Sequence, residues 1–328
     1  MKLLKLILFS VAILSFFEGC HKTDDQNAGC PIFSIVPKQP YDDPVWHPSG
    51  EIIGFNHKPI KEINYSYGYE CPMQASYYYE EDSAGFYLID VNGMNQRRAL
   101  PYYLLTPAWS HDGKWIAFSK GGQIFKMPFD GEKFDTTAIE QLTFEGGNFF
   151  PAWSPDDEWI AYDSDFDSKN GAYYSWKMRS NSTNKTLIAN GRMPSWENQS
   201  IVIYIGLEYQ IYSISLTDST VTQITDKKSV KMYPKFNPDN SIIAYYSVGN
   251  DPEENGIWLT GSNKGNNGQM LVSEASSFSW SPDGKNIVYL HRANNYRIDE
   301  ETGVLWIINT ETKEKRQLTY NHFNLLTH

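Results

Sequence analysis

The chain has 328 residues, 41% of them hydrophobic and 15% aromatic, with a formal net charge of −11. Binding nucleic acid needs a basic face, so that class of partner is excluded. A chain of this length can bury a sizeable core as one β domain, and no long amphipathic helix pattern competes with that reading.

Residues 1–19 read as a targeting segment. Lys2 and Lys5 give a basic start, Leu6 to Phe17 form an apolar run too short to span a bilayer stably, and Phe17-Glu18-Gly19-Cys20 ends in a cysteine. This order resembles a bacterial lipoprotein signal, which implies that Cys20 is acylated, becomes the new N-terminus and attaches the protein to a membrane. Glu18 departs from that pattern, where a small residue is usual, and an ordinary secretory signal is the alternative. Removal of residues 1–19 leaves 26 basic against 38 acidic residues, a charge of −12. Residues 20–39 form a polar tether without apolar periodicity. Within it, Lys22-Thr23-Asp24-Asp25 is similar to the signal that exports some bacterial lipoproteins to the cell surface. The expected location is therefore the outer membrane, on its periplasmic or its outer side.

From residue 40 to 328 one unit recurs. Its clearest copy is Phe150 to Tyr162, a strand ending in Pro151-Ala152-Trp153, a turn at Ser154-Pro155-Asp156-Asp157 and a second strand from Trp159. Pro155 presets φ for a type I turn, and Asp156 can bond the backbone that follows. Copies centre on Trp46, Trp109, Trp153, Trp196, Phe236 and Trp280, at spacings of 63, 44, 43, 40 and 44 residues. That is the length of a propeller blade. Two more short strands follow most copies, so six four-stranded antiparallel blades are predicted: an all-β, six-bladed β-propeller.

The turn, together with Gln141-Leu142-Thr143 and Gln317-Leu318-Thr319 at blade ends, resembles the repeats of TolB-type six-bladed propellers. Blade four departs most, because Trp196-Glu197-Asn198-Gln199-Ser200 lacks both the Pro and the Asp of the turn. The resemblance implies a partner-binding propeller of the cell envelope, although fold does not fix function.

Three cysteines occur. If Cys20 is lipidated, Cys30 and Cys71 remain, and outside the cytoplasm an even remainder suggests a disulfide, worth roughly 4 kcal/mol by loop entropy. Two free thiols are the alternative.

Function is expected on the links between second and third strands, which are long in four blades: Asn56 to Ala84, Asp163 to Ala172, Val248 to Gly256 and His291 to Gly303. These 61 residues carry 14 carboxylates against 5 Lys and Arg. An acidic rim follows, with Asp163, Asp165, Asp167, Asp251, Glu253, Glu254, Asp299, Glu300 and Glu301 as candidates. The blade-one link adds Tyr65, Tyr67, Tyr69, Tyr77, Tyr78 and Tyr79, rings suited to peptide or sugar. The alternative is that these tyrosines mark the two faces of a strand and the acids only solubilise.

Asp163-Ser164-Asp165-Phe166-Asp167 invites a calcium reading, but Ser168 and Tyr174 stand where a helical calcium loop needs Gly and Glu. No metal or cofactor is expected. A Gly-x-Ser-x-Gly elbow and zinc spacing are both missing. Two functions follow. The first is a non-catalytic, monomeric, lipid-anchored propeller binding a protein or peptide at this rim or at the channel mouth. The second is a glycan-acting enzyme similar to polysaccharide lyases, which would need histidines such as His57 and His291 to converge with acids.

Overall fold

The computed structural model describes residues 39–322 apart from 69–70, 169–170, 227–228, 252–253, 263–267 and 293–300, together with 324–327. Six sheets of four antiparallel strands succeed one another, each from one stretch of chain, as the repeats predict. Blade one consists of Tyr41–Trp46, Ile52–His57, Gly85–Asp90 and Arg97–Leu100. Its first strand packs against the first strands of blade two, Leu105–Trp109, and of blade six, Ala275–Trp280, so the ring closes with these strands innermost.

Side-chain bonds explain the repeated motif. In the blade-three turn Ser154 Oγ donates to Asp156 Oδ1 (2.5 Å) and accepts from Trp159 N (2.9 Å), while Asp156 Oδ1 also accepts from Glu158 N. Ser110 with Asp112 and Ser281 with Asp283 repeat this. Blade four makes a tighter hairpin instead. Its first strand, Arg192–Asn198, runs on until Asn198 pairs with Ile201, and Asn198 Oδ1 accepts from Ser200 N. The missing Pro and Asp therefore shorten the turn without removing the blade.

Anchor tryptophans latch neighbouring blades. The indole N–H of Trp153 donates to Ala108 O, that of Trp196 to Ala152 O and that of Trp280 to Lys235 O, at 3.0, 3.0 and 3.2 Å. A large buried ring that carries one donor suits this place, because it fills the interface and satisfies an inner-strand carbonyl. The closing Gln-x-Thr is also a device. Thr143, Thr225 and Thr319 Oγ1 accept from Ile124, Ile211 and Leu305 N, while Gln141, Gln223 and Gln317 donate to the threonine carbonyls.

The blade-one link is not a plain loop. It folds as a hairpin of Ile60–Gly68 and Cys71–Tyr79, and Asn324–Thr327 from the far end of the chain pairs with its first strand in parallel, Leu325 opposite Ile63. The sequence disguises this sheet because its third strand lies about 260 residues away.

Candidate functional site: the channel mouth

Each innermost strand carries a bulge three residues before its anchor, where its register to the second strand slips. The bulged residues are Asp43, Thr106, Phe150, Met193, Tyr233 and Ser277, all left-handed at φ between 27° and 55°. None is glycine, so each conformation costs about 1 kcal/mol or more and persists only where its surroundings hold it. What holds them is bonding from blade to blade. Phe150 N donates to Thr106 Oγ1 (3.3 Å) and Tyr233 N to Met193 Sδ (3.4 Å). Met193 N donates to Asp163 Oδ1 at 2.5 Å. The ring lies toward the upper face, where innermost strands begin and the second-to-third-strand links open, as the pairing of Tyr41 with His57 shows.

Charge gathers on this ring. Asp42 Oδ1 accepts from Ser277 Oγ (2.6 Å) and from Asp43 N (2.8 Å), and Asp43 Oδ2 accepts from Asn56 Nδ2 (3.1 Å). Burial, then the neighbouring Asp42 charge, pushes the Asp43 carboxyl up to about 8. Just before the anchors stand Val45, Ala108, Ala152, Ser195, Lys235 and Ser279, so a single long cation enters a ring of small residues. Lys235 Nζ donates to Phe278 O at 2.9 Å, and burial pushes it down to about 8 while Asp43 opposes the shift. Beside them the Tyr233 hydroxyl, its ring 5.7 Å from that of Phe150, is pushed up by burial and by the charges of Asp43 and Asp42. Enclosure by the inner strands gives these side chains perturbed acidities, and partial exposure leaves them open to solvent through the channel.

The predicted rim residues are not equivalent. Asp163 is fully buried and faces Arg192 at 3.2 Å, and burial pushes it up to about 7 against that ion pair. It clamps blade three to blade four and is not an exposed rim charge. Asp165 is half-buried and caps Gly147 N at 2.6 Å, whereas Asp167 and Asp251 are exposed. The Glu254 and Glu301 carbonyls accept the indoles of Trp258 and Trp306. In the hairpin Tyr78 is exposed and Tyr77 and Tyr79 are half-buried, with Lys58 Nζ 5.2 Å from the Tyr79 ring centroid. Tyr65 and Tyr67 lie on the first hairpin strand and Cys71 opens the second. Cys20, Cys30, Tyr69, Glu253, Asp299 and Glu300 lie outside the described residues.

Histidines are dispersed. His57 is buried, stacks on Tyr41 at 4.0 Å and bonds Pro40 O, and burial holds it down at about 4. His291 bonds Glu301 O, and its other nitrogen is 3.8 Å from Glu274. Among the described residues no three His, Cys, Asp or Glu side chains converge to hold a metal. The channel cluster escaped sequence reasoning because its six positions differ chemically; only their constant offset from the anchors marks them.

No family profile and no curated protein matches the sequence. Solved structures do. TolB from Acinetobacter baumannii is similar at a TM-score of 0.59 and 18% identity over 85% of this chain, which spans 64% of that longer protein. A putative TolB from Agrobacterium tumefaciens gives 0.54 at 17% identity, covering 71% of this chain and 84% of its own. Oligogalacturonate lyase from Vibrio parahaemolyticus also gives 0.54, at 12% identity, covering 87% of this chain and 80% of its own. At such identities the likeness speaks for architecture, and the chain is a TolB-like six-bladed β-propeller.

Proposed function

We propose that this protein is a non-catalytic, lipid-anchored propeller of the outer membrane, on its periplasmic or outer side, that binds a protein or peptide partner on its upper face. The observation that carries the reading is how the polar groups there are used. Asp163, His57 and His291 are committed to Arg192, Pro40 O and Glu301 O, which leaves the tyrosine hairpin and the channel mouth as surfaces for recognition. Fold likeness to TolB supports an envelope role, and likeness to a lyase supports the alternative, a glycan-acting enzyme on the same face. Affinity capture from membrane extracts tests the choice, with wild type beside a variant whose residues 58–82 are replaced by a short turn. Salt-sensitive capture lost in the variant supports binding at this face. Turnover of acidic oligosaccharides by the wild type, with no capture, supports the enzyme. Mass spectrometry of the N-terminal peptide tests the anchor, and an unmodified Cys20 removes it.

A further inference from the structure

The seam between blades six and one leaves open a place that a side chain fills elsewhere in the ring. Where blade three follows blade two, the Asp157 carboxylate reaches back to the preceding turn and accepts from His111 N (2.7 Å) and Asp112 N (2.9 Å). Counted from the anchor tryptophans, the matching residues at the seam are Pro282 and Asp283 on the turn of blade six, with Gly50 of blade one in the place of Asp157. The carboxylate is therefore missing there, and Asp283 N has no hydrogen-bond partner among the described residues. Other turn glycines are covered. A Cβ on Gly113 would meet His47 Nε2 at 2.7 Å and one on Gly284 would meet Pro238 Cδ at 3.3 Å, but one on Gly50 would meet nothing within 4 Å. Beside Gly50 lies a cavity of about 370 Å³, whose walls include Trp46, Asp283, Asn286, Ile307 and Arg316. It opens on the lower face, since the turn after Trp46 is at the end of blade one opposite to His57 and the hairpin link.

We infer that this cavity binds a carboxylate group of a peptide, its C-terminus or an acidic side chain, in the position that Asp157 takes between blades two and three. The site is separate from the upper face and does not depend on the role proposed for that face. Three donors line it. Asp283 N is one, and Asn286 Nδ2 is another, because only the Oδ1 of that amide is bonded, by Asn309 Nδ2. The third is the Arg316 guanidinium, which gives one amine to Val91 O and has no ion pair among the described residues. Its fork can address both oxygens of a carboxylate. Counted from the closing Gln-Leu-Thr, blade two carries Glu140 where blade six carries Arg316, so this cation is particular to the seam. The Asp283 carboxylate does not forbid an anion. Its Oδ1 accepts from Ser281 Oγ and Lys285 N, just as Asp112 Oδ1 accepts from Ser110 Oγ and Lys114 N beside the carboxylate of Asp157. A phosphate would set a second charge against Asp283, whereas a carboxylate brings one. Buried Trp46 and Ile307 add an apolar wall for the carbon atoms behind the carboxylate.

The test is fluorescence anisotropy with a tetra-alanine peptide that carries a neutral dye on its N-terminus and ends in a free carboxylate. Its C-terminal amide, and an amide with one alanine changed to glutamate, are titrated beside it against the full mature protein. Saturable binding of at least one carboxylate peptide is expected, and none of the plain amide; which of the two binds tells a chain terminus from an acidic side chain. Gly50→Asp supplies an internal carboxylate and should weaken binding at least about tenfold. Gly50→Ala, at the same φ of 80°, leaves the place open and should bind within about twofold of wild type. Arg316→Gln alters an exposed side chain away from the turn and should weaken binding about three- to tenfold, the low end for a hydrogen bond to a charged group. Shortening the upper hairpin should change nothing. Absence of saturable binding, equal binding of the plain amide, equal losses in the two Gly50 variants, or binding unchanged in Gly50→Asp or in Arg316→Gln would each overturn the inference, and each leaves the partner role of the upper face standing.

Discussion

Two junctions of the ring are built differently. Between blades two and three the Trp153 indole crosses to Ala108 O, and the Asp157 carboxylate accepts from His111 N (2.7 Å) and Asp112 N (2.9 Å), so the two turns interlock. Between blades six and one the Trp46 indole instead returns to its own turn at Gly50 O (3.2 Å). There the turns stand apart around a cavity of about 370 Å³ lined by Ser49, Gly50, Ser281, Asp283 and Arg316. The seam is held by other means. Trp46 N donates to Ser279 Oγ, Ser277 Oγ to Asp42, and the Tyr41 hydroxyl to Tyr320 O, around a shared core that includes Tyr41, Phe55, Leu290 and Leu318. Above it the strand Asn324–Thr327 crosses over to the blade-one hairpin. At this internal junction one indole and one turn carry the latch; where the two ends of the chain meet, contacts between residues more than 230 apart replace them.

The sharpest way to break this contrast is Trp153→Ala. It removes a buried ring together with the bond between blades, and losses for such truncations run at about 3–5 kcal/mol. Denaturant unfolding should show a loss of that size, and a loss under about 1 kcal/mol would mean the latch contributes little. At the seam, removal of residues 323–328 takes away four cross-strand pairs, worth about 1–4 kcal/mol at roughly 0.2–1 kcal/mol each. The propeller should still fold with a lower midpoint. Shortening the hairpin should then add little to that loss, because both changes dissolve the same sheet; additive losses would show that the sheet does not close the ring.

Much of this contrast was readable from the residues and part of it was not. Blade number and turn chemistry were legible because Ser154-Pro155-Asp156 acts within five residues and recurs at a fixed spacing. The hairpin read as a loop, since the alternation in Tyr65, Tyr67 and Tyr77 to Tyr79 marks a strand only when a partner is known. One partner, Cys71–Tyr79, follows directly in the chain, but the strand that completes the sheet lies at its other end. Asp163 read as an exposed acid for a related reason, because its ion pair is with Arg192 of the next blade and no local pattern announces it. The bulge ring was hidden deeper, as backbone register made it and six unlike residues occupy it.

The ring offers a test through pH. A carboxyl whose folded acidity is pushed up, as at Asp43 to about 8, binds a proton in the folded state that the unfolded chain has already lost. Stability from that proton is full at low pH and disappears as pH rises through about 8. Asp163 acts with the same sign up to about 7. His57, held down at about 4, acts oppositely but only below its ordinary value, and Lys235 acts oppositely only above about 8. Between the ordinary histidine value and pH 8 the melting temperature should therefore fall as pH rises. Asp43→Asn should flatten the fall. An unchanged slope in that variant would place the titrating group elsewhere.

The smallest expected effect concerns a turn residue. Gly50, Gly113 and Gly284 take left-handed conformations at the fourth turn position, and at the matching place in blade three stands Asp157, at φ 57°. A glycine there would relieve strain of about 1 kcal/mol. Asp157 carries that strain together with its two bonds to the blade-two turn and a third to His111 Nδ1 at 3.0 Å. Comparing two substitutions separates the contributions. Asp157→Ala keeps the strained backbone and loses the bonds, so it should cost about 1–2 kcal/mol, the scale of a pair of partly exposed charged hydrogen bonds. Asp157→Gly loses the bonds but also the strain, and should fall within about 1 kcal/mol of wild type. If both variants unfold at the wild-type denaturant concentration, the turns of blades two and three do not depend on this bridge, and the indole latch alone distinguishes that junction from the seam. If glycine proves worse than alanine, the left-handed turn is held by its neighbours rather than strained, and the bridge is what the aspartate supplies.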